Sequence, residues 1–314
     1  MTKVQFGLVV PGDALEKSRR HRYMEDVNRL LNTVKGSYNS AWFIDHLQFE
    51  DSDVLEGWTA LTYLSALHPE LQWGHAVLCQ SFRNPALVAK MGATLQLLSG
   101  GRFILGIGAG WHEPEYLAYG YDFPAASTRV EELDEALHII KALWTQERAT
   151  FEGKHYHVTE AWCEPKPDPV PTIMVGAFKP KMLRVAARHA DWWNVSSTGI
   201  EDYRNYLQEF ERACEEVGRD PGTVRRSWCG GCACAPTEQE VAEIAEERLQ
   251  PGEDFVGTPE QLLEQMQPFV ELGVDYFMLG CSGFPNLTTV KMLVNEVLPA
   301  LNGRMMNNIM KNRR

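Results

Sequence analysis

Short apolar runs alternate with longer amphipathic stretches from one end of the chain to the other. Eight of these runs are bounded by Gly, Pro or polar residues, and they cover residues 4–10, 40–44, 72–77, 103–107, 172–175, 192–195, 225–229 and 275–279. Short, mostly apolar runs are typical of strands that are buried on both faces, as in parallel sheets. Eight such strands alternating with helices predict an α/β fold, a closed (β/α)8 TIM barrel, rather than an open doubly wound sheet.

The stretches between the strands carry helix signals. In residues 130–143, apolar side chains recur at helical spacing and acidic residues occupy the opposite face. Near the C-terminus, Thr258 is a good N-cap, Pro259 suits the first helical position, and Gly273 ends the segment. These signals predict the outer helices of the barrel.

Two connections are longer than the rest and interrupt the alternation. Residues 111–128 are rich in aromatic residues, and residues 150–171 contain a predicted hairpin with Gly153 at its turn. Long connections in compact domains are usually functional, and barrel active sites are built from loops at the C-terminal strand ends. We therefore predict insertions at the C-terminal rim of one domain, residues 1–302, followed by a polar tail, residues 303–314.

Composition narrows the classes of partner. The 314 residues carry a net charge of −12, from 30 Lys and Arg against 42 Asp and Glu. Such a surface repels phosphate backbones and anionic lipid, so we expect a small-molecule substrate and neither nucleic-acid nor membrane binding. No stretch approaches the roughly 20 apolar residues of a membrane helix, and the N-terminus lacks a signal-peptide pattern. A cytoplasmic location is expected.

The cysteines and histidines give weak metal signals. Seven cysteines, an odd number, favour a reducing compartment over a disulfide framework. Cys229, Cys232 and Cys234 include a C-x-x-C, which can hold zinc or perform redox chemistry, but no second pair or His lies nearby. His155 and His157 share a strand face without a Cys or acidic partner. We predict buried structural thiols and no metal site.

Asp45 and His46 directly follow the second predicted strand. His is the side chain suited to proton exchange near neutral pH, and a strand's C-terminal end is where barrel enzymes place catalytic groups. The pair is therefore a candidate acid–base site in which Asp45 favours the imidazolium form of His46. Neighbouring strand residues point to opposite faces, so this contact requires the chain to turn. The alternative is a His that only caps the strand end.

Small residues accumulate after the third and fourth strands. Gly74 and Ala76 lie in the third strand, and Gly106, Gly108 and Gly110 follow the fourth. The glycine-rich turn leads into a Trp- and Pro-containing loop instead of a helix, which argues against a Rossmann dinucleotide site. Small residues let a planar ligand approach the backbone, although tight barrel packing explains them equally well.

The fifth strand leads into Gly176, Ala177 and Phe178, just before a predicted helix. The free N–H groups and the dipole of a helix N-terminus attract anions, and Lys179 and Lys181 would add positive charge. The segment is a candidate phosphate site. A plain strand-to-helix turn is the alternative.

In order along the chain, the segments SAWFIDH, LEGWTALTYLSAL, FRNPALVAKMGATLQLLSGGRFILGIGAGW, EYLAYGYDFP, RVEELDEALHIIKALW, FEGKHY, PTIMVG and GVDYFML resemble the luciferase-like monooxygenase family. That family includes FMN-dependent oxygenases and oxidoreductases that use the deazaflavin coenzyme F420. The resemblance covers nearly the whole chain. It implies a TIM barrel with a cofactor ring across its mouth, and a homodimer.

The resemblance also implies site residues. A non-prolyl cis peptide bond in the third strand backs the cofactor ring, and the matching bond joins Ala76 and Val77. The matching active-site pair is Asp45 and His46. Further positions expected to bind the cofactor are Cys79, Gly108, Gly110, Trp111, Gly176, Ala177 and Phe178, with the last three at the phosphate.

The DH pair and the LEGWT helix are most similar to the F420-dependent branch, which transfers a hydride to or from the deazaflavin. The expected substrate position is between the ring and the aromatic loop that holds Trp111, Tyr116, Tyr119 and Phe123. An FMN-dependent monooxygenase with a separate flavin reductase is the alternative, and a non-catalytic cofactor-binding or partner barrel is the rival from another class.

The chain departs from the family pattern at three places. Trp192 stands where Gly is usual, and GAFKPK replaces a more glycine-rich phosphate loop. Trp111 occupies a position where some deazaflavin dehydrogenases carry an acid, which argues against transferring their sugar-phosphate substrate to this chain.

Overall fold

A computed structural model describes residues 3–12, 17–49 and 52–303 of the chain. Eight parallel strands form its centre, β1 (Gln5–Val9), β2 (Ser40–Phe43), β3 (Gln72–His75), β4 (Phe103–Gly108), β5 (Thr172–Gly176), β6 (Trp192–Ser196), β7 (Arg225–Cys234) and β8 (Val274–Cys281). Each strand pairs with the next, and β8 pairs with β1, so the sheet closes. The (β/α)8 barrel is confirmed, with each predicted run on an observed strand.

Helices cover the outside of the barrel. They are α1 (Tyr23–Val34), α2 (Gly57–Leu67), α3 (Pro85–Leu98), α4 (Glu113–Ala118), α5 (Ala126–Thr145), α6 (Pro180–His189), α7 (Ile200–Glu216), α8 (Glu238–Ile244), α9 (Pro259–Glu271) and α10 (Thr288–Met292). One π-helical turn, Leu293–Val297, continues α10. No helix in the part of the chain that the structure describes has the length and hydropathy of a membrane span.

The start of α9 shows how local chemistry fixes an element. The Thr258 side chain accepts a hydrogen bond from the amide of Gln261, and the Gln261 side chain accepts one from the Thr258 amide. This reciprocal capping box satisfies two amides that a helix start leaves unpaired. Gly273 follows the helix with a φ of +91°, a conformation that glycine adopts without a steric penalty.

The two long connections contain more regular structure than a loop. Ala149–Glu152 and His157–Ala161 form the predicted antiparallel hairpin. In contrast, the connection 111–128 is not continuous loop, because Pro114 lies in the first turn of α4 and α5 begins at Ala126. Residues 111–128 follow the C-terminal end of β4, as predicted for an insertion at that rim, whereas residues 150–171 follow α5 and lead into the N-terminal end of β5. The tail, apart from Gly303, lies outside the described residues.

Large side chains fill the barrel interior. Trp42, Ile104, Met174, Tyr276 and Met278 form a buried cluster inside the ring of strands. Trp192 packs against this cluster, with its ring 4.8 Å from that of Tyr276. The departure from glycine at this position therefore adds an aromatic side chain to the barrel interior.

The thiols predicted to be structural lie at or near the buried core. Cys232 and Cys234 are fully buried on β7, and burial raises the pKa of Cys229 and of Cys234 to about 12. Thiols with such pKa values stay protonated near neutral pH and are poor nucleophiles and metal ligands. The burial agrees with the prediction of structural thiols.

Candidate active site

A cavity of about 510 Å³ opens at the C-terminal ends of β2 to β6. Its wall contains every residue predicted to be catalytic or to bind the cofactor, namely Asp45, His46, Ala76, Val77, Cys79, Gly108, Gly110, Trp111, Gly176, Ala177 and Phe178. Parallel strands end at the same rim, so positions far apart in the sequence meet there. The volume lies within the range of small-molecule and cofactor pockets.

Val77 is flanked by two glycines on neighbouring strands. A Cβ atom on Gly108 would lie 2.7 Å from Val77 Cγ2, and one on Gly176 would lie 3.4 Å from Val77 Cγ1. We call Val77, Gly108 and Gly176 the cradle, since the two glycines leave room beside the Val77 side chain. The Ala76–Val77 peptide bond is cis, as the resemblance implied.

Asp45 has different partners from those predicted. Its side chain is fully buried and accepts two hydrogen bonds from Arg83, at 2.7 and 2.9 Å, and one from the Cys79 amide at 2.9 Å. No bond from Asp45 to His46 is found among the described residues, so the predicted acid–base pair is wrong. A buried carboxylate needs a charged partner, and Arg83 supplies it. Asp45 holds the segment that follows the cis bond.

His46 instead pairs with Glu115 on α4, at 2.9 Å between Nδ1 and Oε1. The other oxygen of Glu115 accepts the Leu47 amide at 2.8 Å. Burial alone would raise the pKa of Glu115, but the hydrogen bonds from His46 and the Leu47 amide outweigh it and lower the pKa. The group is therefore a carboxylate near neutral pH and can only accept, so Nδ1 of His46 carries a proton. Nε2 is therefore the ring nitrogen that is left to accept or donate a proton.

Glu115 was missed from the sequence because it lies in the aromatic connection, 69 residues from His46. The available signal was an acid on the inner face of a short helix, flanked by the aromatic residues of that connection. Arg83 was missed for a similar reason, since its cationic role depends on the buried position of Asp45.

Aromatic rings surround His46 at the mouth of the cavity. The ring of Phe49 lies 4.1 Å from that of His46, Trp111 lies 5.8 Å away, and His112 lies 6.1 Å away. We call Phe49, Trp111 and His112 the aromatic rim. Trp111 is 66% exposed, although its neighbours are partly covered.

The rest of the predicted aromatic loop does not line the cavity. Tyr116 is fully buried, and its hydroxyl contacts Cys79 Sγ at 3.0 Å. Tyr119 donates to the Leu47 carbonyl at 3.1 Å, and Phe123 packs against Tyr116. The expectation that these three side chains contact the substrate is therefore wrong, because they pack the loop against the barrel. Burial raises the pKa of Cys79 to about 12, so its thiol is protonated.

Positive charge lies on a different part of the cavity wall. Arg129 on α5 and Lys179 before α6 both line the cavity. Arg129 is 7% exposed, its guanidinium lies 3.9 Å from the Phe123 ring, and its Nε has no hydrogen-bond partner. Lys179 Nζ lies 5.5 Å from the Phe178 ring. Strands β3 and β4 lie between β2 and β5. The ends of β2 and β5 are therefore three strand spacings apart along the sheet, or about 14 Å.

The predicted phosphate segment has fewer free amides than expected. The Ala177 amide already donates to the Asn194 carbonyl at 3.0 Å. One of the three amides proposed for an anion is therefore engaged in the sheet. Arg129, which the sequence analysis did not select, adds a cation to the same part of the wall.

A group of potential metal ligands lies on the outer helices, away from the cavity wall. Asp134, His138 and His189 place one ligand atom each within 4.8 Å of the others. Arg188, however, donates two hydrogen bonds to Asp134 Oδ1, at 2.9 and 3.1 Å. A guanidinium on this carboxylate opposes binding of a second cation. His155 and His157, which the sequence did not favour as a metal site, pair with Glu131 and Glu152, respectively.

The fold and the site define an α/β-barrel protein in which a half-buried imidazole, paired with a buried carboxylate, lies at a glycine-flanked cavity on the C-terminal rim. Residues 4–254 match the family described as luciferase-like monooxygenases, and the chain belongs to that family.

Several relatives are named as F420-dependent enzymes. The F420-dependent glucose-6-phosphate dehydrogenase of Intrasporangium calvum is 28% identical in an alignment of 318 positions. The alignment covers 89% of this chain and 95% of that protein. The enzyme of the same name from Kineococcus radiotolerans is 36% identical over 196 residues, which cover 60% of this chain and 58% of that protein.

The fold is shared with solved structures. An F420-dependent secondary alcohol dehydrogenase, in complex with an F420–acetone adduct, superimposes with a TM-score of 0.81 at 20% identity. The superposition covers 96% of this chain and 99% of that one. At this identity the likeness shows the barrel fold.

Proposed function

We propose that the protein is a coenzyme F420-dependent oxidoreductase that transfers a hydride between the deazaflavin and a small organic substrate. The observation that carries the proposal is the cradle, in a cavity that is also lined by the His46–Glu115 pair and by the cations Arg129 and Lys179. The names of the relatives that align over most of this chain support the choice of F420.

The residues present fit such a cofactor. A planar ring needs a wall without protruding side chains, and a Cβ atom on Gly108 or Gly176 would narrow the space beside Val77. A phosphate needs positive charge and free N–H donors, and Arg129 and Lys179 with the start of α6 provide them. Ala76, Cys79, Gly110 and the neighbouring backbone complete the proposed binding surface. The bound deazaflavin supplies the hydride-transferring carbon, and the protein supplies orientation and a proton.

His46 is the proposed proton carrier. Because Glu115 keeps Nδ1 protonated, Nε2 is the nitrogen that accepts a proton from a substrate hydroxyl, or returns it in the reverse direction. The Glu115 carboxylate then stabilises the imidazolium that forms, as a carboxylate does in other imidazole-based catalysts. Asp45 has a supporting role here, because its two oxygens are fully engaged.

Titration of the purified protein with F420 and with FMN, followed by fluorescence, tests the cofactor. We expect F420 to bind at least tenfold more tightly, a difference of about 1.4 kcal/mol. FMN binding tenfold more tightly would instead assign the protein to the oxygenase branch, which works with a separate flavin reductase. If neither cofactor binds, the chain is a non-catalytic barrel.

We also propose a homodimer in the cytoplasm. The outer faces of α2 and α3 expose Tyr63, Leu67, Leu97 and Leu98, and Leu98 is 74% exposed. Exposed apolar side chains on neighbouring helices favour a second protein surface over water. Light scattering should give twice the chain mass, and Leu98→Glu should give a monomer. The matched control is Val217→Glu on the surface after α7. A monomeric parent protein would contradict the proposal.

A further inference from the structure

We infer that the substrate is an uncharged, apolar alcohol, or the corresponding ketone or aldehyde, that binds against the aromatic rim beside His46. A phosphorylated sugar or a hydroxy acid does not suit this part of the cavity. The inference rests on the proposed function, since it takes His46 as the proton carrier. It differs from the substrate named for the glucose-6-phosphate dehydrogenases that resemble this chain.

The first argument is the apolar surface around the reacting position. Phe49, Trp111 and His112 lie within 6.4 Å of one another, centre to centre, and all three rings neighbour His46. Trp111 leaves 66% of its surface uncovered at the cavity mouth. Of the three rim residues, Trp111 lines the cavity, and an aromatic surface that faces a cavity gains most from an apolar ligand, because binding removes both surfaces from water.

The second argument is the sign of the charge beside His46. Glu115 is a buried carboxylate 2.9 Å from the ring, and its lowered pKa keeps it ionised. A substrate phosphate or carboxylate close to His46 would be repelled by it, while a neutral hydroxyl or carbonyl would not.

The third argument is that the nearby cation, Arg83, already pairs with acidic side chains. Arg83 donates to both oxygens of Asp45 and also bonds to Glu56, and its side chain is 11% exposed. It therefore has no free face for a substrate anion. Among the described residues that line the cavity, the Lys and Arg side chains are Arg129 and Lys179, which are proposed to bind the cofactor phosphate.

The experiment compares substrates on the F420-loaded enzyme, with the deazaflavin absorbance as readout. Secondary alcohols of increasing chain length are compared with glucose 6-phosphate and lactate. We expect kcat/KM to rise about threefold to fourfold for each added methylene, until the rim is covered. Glucose 6-phosphate and lactate should react at least a hundredfold more slowly. Turnover of either anion at the rate of the best alcohol would overturn the inference.

A pair of variants tests the aromatic rim. Trp111→Ala should raise KM for the longest alcohol at least tenfold and change the F420 dissociation constant much less. The matched control is Trp162→Ala, since Trp162 is 65% exposed and does not line the cavity. Equal loss of F420 and alcohol binding in Trp111→Ala would assign Trp111 to the cofactor and overturn its role here. Trp111→Arg should increase the ratio of lactate to alcohol turnover at least tenfold.

Binding without the cofactor gives an independent readout. Saturation-transfer NMR on the cofactor-free protein should detect the long-chain alcohol, and Trp111→Ala should weaken the signal. Glucose 6-phosphate should give no signal from this site. Failure of the proposed function looks different, because F420 would then not bind at all. If F420 binds but no alcohol, ketone or aldehyde is bound or converted, the substrate inference fails and the cofactor proposal stands.

Discussion

At the scale of single residues, the contact between His46 and Glu115 is expected to control turnover. Glu115→Gln keeps an oxygen that can accept the Leu47 amide but removes the charge that stabilises an imidazolium. We expect kcat to fall at least about tenfold with the F420 dissociation constant unchanged, since removing the carboxylate behind a catalytic imidazole costs between that and about 10⁴-fold. Steady-state kinetics and a fluorescence titration measure the two effects.

His46→Ala is the companion variant. It should lower turnover by about 10²–10⁴ with the cofactor still bound, because it removes the proton carrier itself. His157→Ala is the control, since it removes an exposed imidazole that does not line the cavity. Turnover within a few-fold of the parent at every pH would mean that His46 only shapes the pocket. Loss of cofactor binding in His46→Ala would point the same way.

Gly176 tests the cradle. In Gly176→Val, the Cβ atom would meet Val77 Cγ1 at 3.4 Å, an ordinary contact, so the barrel should still fold. The larger side chain would occupy space proposed for the cofactor, and F420 affinity should fall at least tenfold. Gly280→Val on β8 is the control, because its Cβ atom would have no neighbour closer than 3.8 Å and it is not part of the cavity wall. Unchanged F420 affinity in Gly176→Val would contradict the proposal that the cradle binds the cofactor.

At the scale of elements, β3 carries a pH-sensitive group. His75 is fully buried and its ring stacks on Trp58 at 5.2 Å; burial lowers its pKa from 6.5 to about 4. Because the unfolded chain binds the proton more tightly, His75 contributes its stability above pH 6.5. That contribution is lost as the pH falls to about 4, and it amounts to about 3 kcal/mol.

Urea unfolding at several pH values measures this loss. His75→Phe keeps a ring against Trp58 and removes the titrating group, so its stability should fall less between pH 6.5 and 4. His157→Phe, on the exposed hairpin, is the control. Its free energy of unfolding should change with pH as that of the parent does. If the free energy of unfolding of His75→Phe changes with pH as much as that of the parent, other groups cause the acid sensitivity.

At the scale of the whole molecule, closure joins the two ends of the chain. β1 pairs with β8 over five residues, from Gln5–Tyr276 to Val9–Gly280. Asn302 adds a side-chain link, since its Oδ1 accepts the Val4 amide at 3.0 Å and its Nδ2 donates to the Val4 carbonyl at 3.2 Å. Asn302→Ala should lower the free energy of unfolding by about 1–3 kcal/mol, because both Val4 groups lose a partner.

The control for Asn302 is the exposed Asn205→Ala on α7, which should stay within about 0.5 kcal/mol of the parent. Urea unfolding with two optical probes gives both values and tests whether residues 1–302 unfold as one domain. Separate transitions would contradict the single domain predicted from the sequence. An Asn302→Ala protein as stable as the parent would show that strand pairing alone closes the barrel.

Local sequence patterns were enough to predict the barrel and the position of its site. Strand identity depends on local apolar runs, and all eight predicted runs hold the barrel strands. Parallel strands end at one rim, so residues after β2 to β5 could be assigned to one cavity before any contact was known. The resemblance added the cis bond after β3 and the choice of cofactor.

The side-chain partners in the site, in contrast, depend on the folded barrel. Asp45 and His46 are neighbours in the chain, yet their partners are Arg83 and Glu115, at separations of 38 and 69 residues. Likewise, packing buries Tyr116 and leaves Trp111 at the cavity mouth, although both belong to one aromatic segment. Local sequence fixes periodicity and turn chemistry, whereas a buried charge takes whichever partner the closed barrel brings within reach.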